Sequence, residues 1–278
     1  MTALETGLKD LPDSNPRTVG PADETAPLAV VDNVTKTFPR VTALDQVGLT
    51  INAGERVALV GPSGSGKTTL LHLLSGMAQP DSGSVTVGGR ELSHNLPRRE
   101  LSSLVGIIHQ QLDLVPQLPV VHNVLAGRFG HWGVFRSFLS MLWPQDYPLA
   151  VSALHQMGIA DKIQERTAHL SGGEQQRVAI ARTMVQSPLL VLADEPVSSV
   201  DPGRAQEILH LLVGLTEDSG RALVASMHTP YLVRQFFSRA VGLKDGQVHF
   251  DIPAPELTQA IQSDLYGLGQ EESALHHG

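Results

Sequence analysis

The stretch Glu55–Met77, ERVALVGPSGSGKTTLLHLLSGM, decides the fold of this chain. VALV, Val57–Val60, is an unbroken apolar run, as expected of a strand covered on both faces of a parallel sheet. GPSGSGKT, Gly61–Thr68, follows at once. Its small residues let backbone N–H groups wrap closely round phosphate oxygens, and Gly61, Gly64 and Gly66 permit that approach. The helix that follows turns its positive N-terminus toward the anion. Lys67 is spaced to reach the outer phosphates of a nucleotide, and Thr68 to offer its hydroxyl to Mg2+. Pro62, Ser63, Ser65 and Thr69 complete the candidate nucleotide-binding set. An ordinary glycine-rich turn is the bland alternative. The full length of the motif, set between a buried strand and a helix, argues against it.

Two further motifs follow in order. LSGGEQQR spans Leu170–Arg177 and LLVLADEP spans Leu189–Pro196. Asp194 ends an apolar strand, which carries its carboxylate to the sheet edge where α/β folds bind ligands; it is the candidate Mg2+ ligand beside Thr68. Glu195 comes next and is the candidate base that polarises the attacking water. Phosphoryl transfer asks mainly for positioning and charge stabilisation, so one placed base and one placed cation carry much of it. LSGGEQQR has no task inside a lone phosphate-binding domain. It makes sense as a lid offered to the nucleotide of a second copy. Ser171 with Glu174 also reads as a helix capping box, and both readings can hold.

Outward from these motifs the chain alternates strands and helices, which implies a parallel core sheet. LAVVDNVTKTF and ALDQVGLTINAG read as strands, and QQRVAIARTMVQSP as a helix ended by Pro188. AVGLKDGQVHFD reads as a closing hairpin turning at Asp245–Gly246. Residues 1–27, rich in Pro, Asp, Glu and Thr, read as a disordered extension. The main domain is expected over 28–255, with a helical insertion at about 112–168, and a C-terminal tail over 256–278.

The net charge of −8 argues against a nucleic-acid partner. The chain has no cysteine, which excludes disulfides and thiolate metal sites. No apolar run approaches the ~18 residues of a membrane span, and the N-terminus lacks a signal-type apolar core. The expected location is the cytosol, and, if the chain serves a membrane process, the cytoplasmic face of the cell membrane as a peripheral subunit.

The three motifs together resemble the ATP-binding-cassette family over roughly residues 28–250. That resemblance implies an α/β P-loop NTPase with a RecA-like core sheet, an antiparallel β subdomain and an inserted helical subdomain. It implies ATP and Mg2+ as cofactors, and a head-to-tail dimer in which Ser171, Gly172 and Gly173 touch the γ-phosphate held by the other copy's Lys67, while the helix starting near Glu174 adds its N-terminal dipole. It assigns Phe38 to stacking on adenine. Gln110, in GIIHQQLDLVP, becomes the glutamine linking the metal site to the helical subdomain, with Gln111 as its alternative. Ser198–Asp201 becomes the family's D-loop, which puts Asp201 in the nucleotide-binding set, and His228 the γ-phosphate histidine.

LADEPVSSVDP, the segment His122–Pro144 and the late Leu265–Gly267 together resemble the ATPase of phosphonate-type importers, whose cargo includes phosphite. Membrane permease subunits and an extracytoplasmic solute-binding protein are the partners this implies. The alternative is a cassette of another transport system, such as the lipoprotein-release or cell-division type. Half of the chain's aromatics lie from Phe129 to Tyr147: Phe129, Trp132, Phe135, Phe138, Trp143 and Tyr147. They serve as a seat for the permease or as a small core of the helical subdomain.

Overall fold

The computed structural model describes residues 26–130, 146–198, 200–216 and 220–267. Trp132, Phe135, Phe138, Trp143 and residues 1–25 of the expected 1–27 extension lie outside the described residues.

The chain opens with β1 (Ala29–Phe38) and β2 (Val41–Ile51), then β3 (Arg56–Val60), the phosphate-type loop and α1 (Lys67–Leu74). β4 (Ser82–Val87), β5 (Arg90–Glu91), α2 (Arg98–Leu104) and β6 (Val105–Ile108) follow. The helical layer holds α3 (Val120–Leu125), α4 (Tyr147–Gln156) and α5 (Gly172–Gln186). β7 (Leu190–Ala193), α6 (Pro202–Gly214), β8 (Ala222–Ser226) and α7 (Pro230–Phe236) return to the centre. β9 (Arg239–Lys244), β10 (Gln247–Pro253) and α8 (Gln259–Tyr266) close the chain.

Two sheets result. One is antiparallel, in the order β2-β1-β4-β5; the other runs β10-β9-β3-β8-β7-β6. In the second, β6, β7, β8, β3 and β9 are mutually parallel, and β10 adds an antiparallel edge. β7 and β8 are buried at every residue, the pattern of strands covered on both faces. β1 instead alternates over its first residues, as a sheet with one packed face does.

The period of two divides β3 between two cores. Val57 and Leu59 pack with α1 leucines and the antiparallel sheet, while Ala58 and Val60 join the core that holds α5, α6 and α7. The first core locks α1 in place, since Leu70, Leu71, Leu73 and Leu74 are all buried. The loop that precedes α1 therefore rests on a fixed base. The expected closing hairpin is present: Asp245 (φ 50) and Gly246 (φ 78) both adopt the left-handed conformation that a two-residue primed turn demands.

One difference concerns the C-terminus. The stretch read as a tail holds α8, capped by Thr258 and ended by a left-handed Gly267, with Leu265 fully buried. Its apolar signal, Ile261 and Leu265 one turn apart, is too short to stand out in the sequence. Packing against the larger core stabilises it instead.

Candidate active site

The parallel strands β3, β7 and β8 end side by side, and each delivers a candidate group. β3 leads into the loop Gly61–Thr68. Gly61 (φ 152) and Gly66 (φ 105) occupy conformations reserved for glycine, and a Cβ on Gly66 would stand 2.5 Å from the Ala43 carbonyl oxygen. The loop is thus pressed onto β2. Lys67 is buried, and its ammonium donates to the Gly61 carbonyl at 2.8 Å and the Pro62 carbonyl at 2.9 Å. Burial pushes its pKa down, while the charges of Glu195 and Asp194 oppose the shift. Ser65 Oγ is buried without a hydrogen-bond partner among the described residues.

Asp194 and Glu195 follow β7. The Thr68 hydroxyl lies 3.4 Å from Asp194 Oδ1, so oxygens from two elements converge. Such a hard, all-oxygen pair suits Mg2+, which takes one or two protein ligands and fills its remaining positions with water and substrate phosphates. Glu195 adopts φ 47, a left-handed conformation that costs a non-glycine residue about 1–3 kcal/mol. Ser226, at the end of β8, holds it there: its hydroxyl accepts from the Glu195 amide at 2.7 Å and donates to Asp194 Oδ1 at 2.7 Å. One buried hydroxyl therefore fixes both carboxylate-bearing residues. His228, two residues on, meets Glu195 Oε1 at 2.8 Å through Nε2.

Sequence reading missed Ser226. The signal was a lone hydroxyl ending an otherwise apolar strand, but its partners become visible only when β8 is laid beside β7 with Ala225 opposite Ala193.

Gln110 follows β6. Its Nε2 donates to the Ser198 hydroxyl at 3.3 Å, and that hydroxyl donates in turn to the Glu195 carbonyl at 3.2 Å. The glutamine therefore joins the network on the Glu195 side. The turn after it is held by Arg182 of α5, which donates to the Leu112 and Asp113 carbonyls at 2.8 Å each.

The segment Ser171–Glu174 starts α5. Ser171 accepts from the Glu174 amide, and the Glu174 carboxylate accepts at 2.8 Å from both the Ser171 amide and hydroxyl. These bonds hold the Glu174 pKa below the usual carboxylate range. Gly172 and Gly173 have open space where a Cβ would stand. The motif touches the strand-end cluster through Gln176, which donates to the Pro196 carbonyl. Asp201 caps α6, accepting from the Arg204 amide at 3.1 Å. Phe38 is exposed at the β1–β2 turn, with the Lys36 ammonium 5.9 Å from its ring centre.

Comparison with known proteins fits this geometry. The ABC transporter family profile matches residues 44–198. The chain is 42% identical over 253 residues to "Phosphonates import ATP-binding protein PhnC 1" of Nostoc sp., covering 89% of this chain and 96% of that protein. It is 45% identical over 230 residues to the PhnC protein of Pseudomonas putida, covering 82% and 85%. Among solved structures, a dimeric ATP-binding cassette in a post-hydrolysis state with ADP and Pi superposes with a TM-score of 0.70 at 32% identity, covering 81% of this chain and 98% of that one. The chain belongs to the ABC transporter family, in the company of the phosphonate-import ATP-binding proteins.

Proposed function

We propose that this chain is the ATP-hydrolysing subunit of an importer for phosphonate, phosphite or a related reduced-phosphorus oxyanion, working as a head-to-tail dimer beneath a membrane permease. The observation that carries the catalytic part is the unbroken series Thr68–Asp194–Ser226–Glu195–His228, in which each member contacts the next. The identities to phosphonate-import proteins carry the cargo class.

Each residue has a part in this reading. The amides of Gly61–Thr69 wrap the phosphates, Lys67 turns its ammonium to the outer ones, and a phosphate oxygen gives the orphaned Ser65 hydroxyl its acceptor. Thr68 and Asp194 hold Mg2+, which supplies charge neutralisation on the phosphate oxygens. Glu195 orients and deprotonates the attacking water, and His228 steadies Glu195 and faces the γ-phosphate. Gln110 reports the state of the site to the helical layer. Phe38 offers its exposed ring to adenine. From the second copy, the Ser171 hydroxyl, the Gly172 and Gly173 amides and the α5 N-terminus close on the γ-phosphate. Asp201 lies in the loop facing that copy.

Among the described residues no helix is long and apolar enough to cross a membrane. In this reading a membrane permease provides the passage, with an extracytoplasmic binding protein to select the solute. Phe129, Tyr147, Leu149 and Val151 leave apolar surface on the helical layer on either side of residues 131–145. Permease docking there follows from the concentration of aromatic anchors at interfaces.

The test is ATP hydrolysis by the reconstituted receptor–permease–ATPase complex against phosphite, hypophosphite, alkylphosphonates and phosphate. Stimulation by one reduced-phosphorus compound is expected. A complex that hydrolyses ATP but responds to none of them would refute the cargo assignment and leave the cassette chemistry standing.

A further inference from the structure

The segment that carries Gln110 is anchored at both ends and strained in its middle. Before it, Ile108 of β6 lies opposite Ala193 of β7, and the Ile108 carbonyl accepts from the Asp194 amide at 2.9 Å. After it, the buried Asn123 of α3 pairs its side chain with the Val115 backbone, accepting from the amide at 2.7 Å and donating to the carbonyl at 3.0 Å. Between these anchors Leu112 (φ 41) and Asp113 (φ 47) are both left-handed. Aspartate tolerates that conformation, but in a side chain as bulky as Leu112 it is an outlier. The turn doubles back on itself, with the Leu112 amide donating to the His109 carbonyl at 3.0 Å and the Asp113 amide to the Gln111 carbonyl.

What offsets the strain comes from α5. Arg182 donates through Nη2 to the Leu112 carbonyl and through Nη1 to the Asp113 carbonyl, at 2.8 Å each. A planar guanidinium grips two successive carbonyls at once, which a point-like ammonium does not. Burial pushes the pKa of this cation down, and the Asp113 charge opposes the shift. The backbone of Arg182 is itself close-packed, leaving no room for a Cβ on Gly127. The fork is therefore presented from a fixed point on α5.

We infer that Arg182 is a positioning residue for ATP hydrolysis: its fork keeps the Gln111–Asp113 turn left-handed and thereby sets where Gln110 stands beside Ser198 and Glu195. This rests on the reading of the strand-end cluster as the ATP site. Gln110 Nε2 reaches the Ser198 hydroxyl at 3.3 Å, and that hydroxyl reaches the Glu195 carbonyl at 3.2 Å. Both bonds are long, so a shift of the turn by about 0.5 Å carries them out of hydrogen-bond range. The loop Gly61–Thr68 is instead pressed onto β2 at Gly66. Loss of the fork should therefore act on the chemical step and spare nucleotide binding.

The experiment measures ATP hydrolysis by the reconstituted permease complex and ATP affinity of the full chain. It compares wild type, Arg182→Met, Arg182→Lys, Gln110→Ala, the double variant Arg182→Met with Gln110→Ala, and the control Arg221→Met. Misplacing a reacting group by about 1 Å costs up to about 10²-fold, so a smaller shift in Arg182→Met should lower kcat about tenfold, with ATP affinity within about twofold of wild type. Arg182→Lys keeps charge and stem without the fork and should lie between. In the Gln110→Ala background the further loss from Arg182→Met should shrink below about twofold, because both changes remove one effect. Arg221 precedes β8, at the opposite end of that strand from Ser226, and donates to the Leu215 carbonyl and the Ser187 hydroxyl. Arg221→Met strips a comparable arginine from its acceptors and should keep the wild-type kcat. If Arg182→Met does not fold, Arg182→Lys takes its place in the cycle. Unchanged kcat in the Arg182 variants, or losses that multiply in full in the double variant, would overturn the positioning role. A wild type that binds no ATP would overturn the ATP-site reading beneath it, and this inference with it.

Discussion

Ser226 shows how much one hydroxyl can settle. It accepts from the Glu195 amide and donates to Asp194, so it holds the strained backbone of one residue and the carboxylate of the other. Ser226→Ala removes both bonds and keeps the fold, because the site it vacates is small and β8 stays apolar. Turnover should fall about tenfold, the rate equivalent of about 1.4 kcal/mol, with ATP affinity close to wild type. Steady-state kinetics with separate binding measurements check it, and an unchanged kcat would remove Ser226 from the account. The contrast with Lys67 is instructive about legibility. Lys67, Thr68, Asp194 and Glu195 are readable as candidates because their positions are encoded in local spacing, glycines before the lysine and an apolar strand before the acids. Ser226 is not, because its role comes from a neighbouring strand that the sequence does not put beside it. Gln110 falls between: its position was legible, but its bond to Ser198 depends on how the loop after Glu195 bends back.

At the level of elements, α5 begins with a cap whose energetics depend on pH. The Glu174 carboxylate accepts from Ser171, which holds its pKa low. A carboxylate with a depressed folded pKa stabilises the cap above its ordinary value, about 4.3, and loses that contribution as pH falls through the folded value. NMR titration of Glu174 should therefore give a pKa below the ordinary value, and Ser171→Ala should raise it only part of the way, since the backbone N–H that makes the larger contribution remains. An ordinary value in wild type would mean that the cap is not formed in solution. Strands were the most legible elements, since the buried runs of β3, β7 and β8 and the Asp245–Gly246 turn each carry a strong local pattern. α8 was not legible: a single pair of apolar positions and a short span leave its existence to tertiary packing.

On the scale of the molecule, Arg239 ties separate parts together. It donates to the Thr50 carbonyl of β2 at 2.8 Å and pairs with Glu55 at 3.0 Å and with Asp251 of β10. These partners hold its pKa above the usual arginine value. Arg239→Met leaves Glu55 without this cation and should cost about 2 kcal/mol in urea unfolding; a loss under 0.5 kcal/mol would mean that solvent serves those carboxylates as well. The largest claim concerns two copies. Among the described residues of one chain, the helix that begins with Ser171–Gly173 bonds to the strand-end cluster through Gln176 and the Pro196 carbonyl. In the proposed dimer, a second nucleotide-bound copy gives that exposed turn its phosphate. The most direct measurement is the mass in solution of full-length Glu195→Gln with Mg2+ and ATP, by light scattering with the nucleotide content determined. The account predicts twice the monomer mass with intact ATP bound, because the site closes while loss of the base slows hydrolysis by a factor of about 10²–10⁴. A monomer with ATP bound, or a variant that turns over ATP at the wild-type rate, would contradict it.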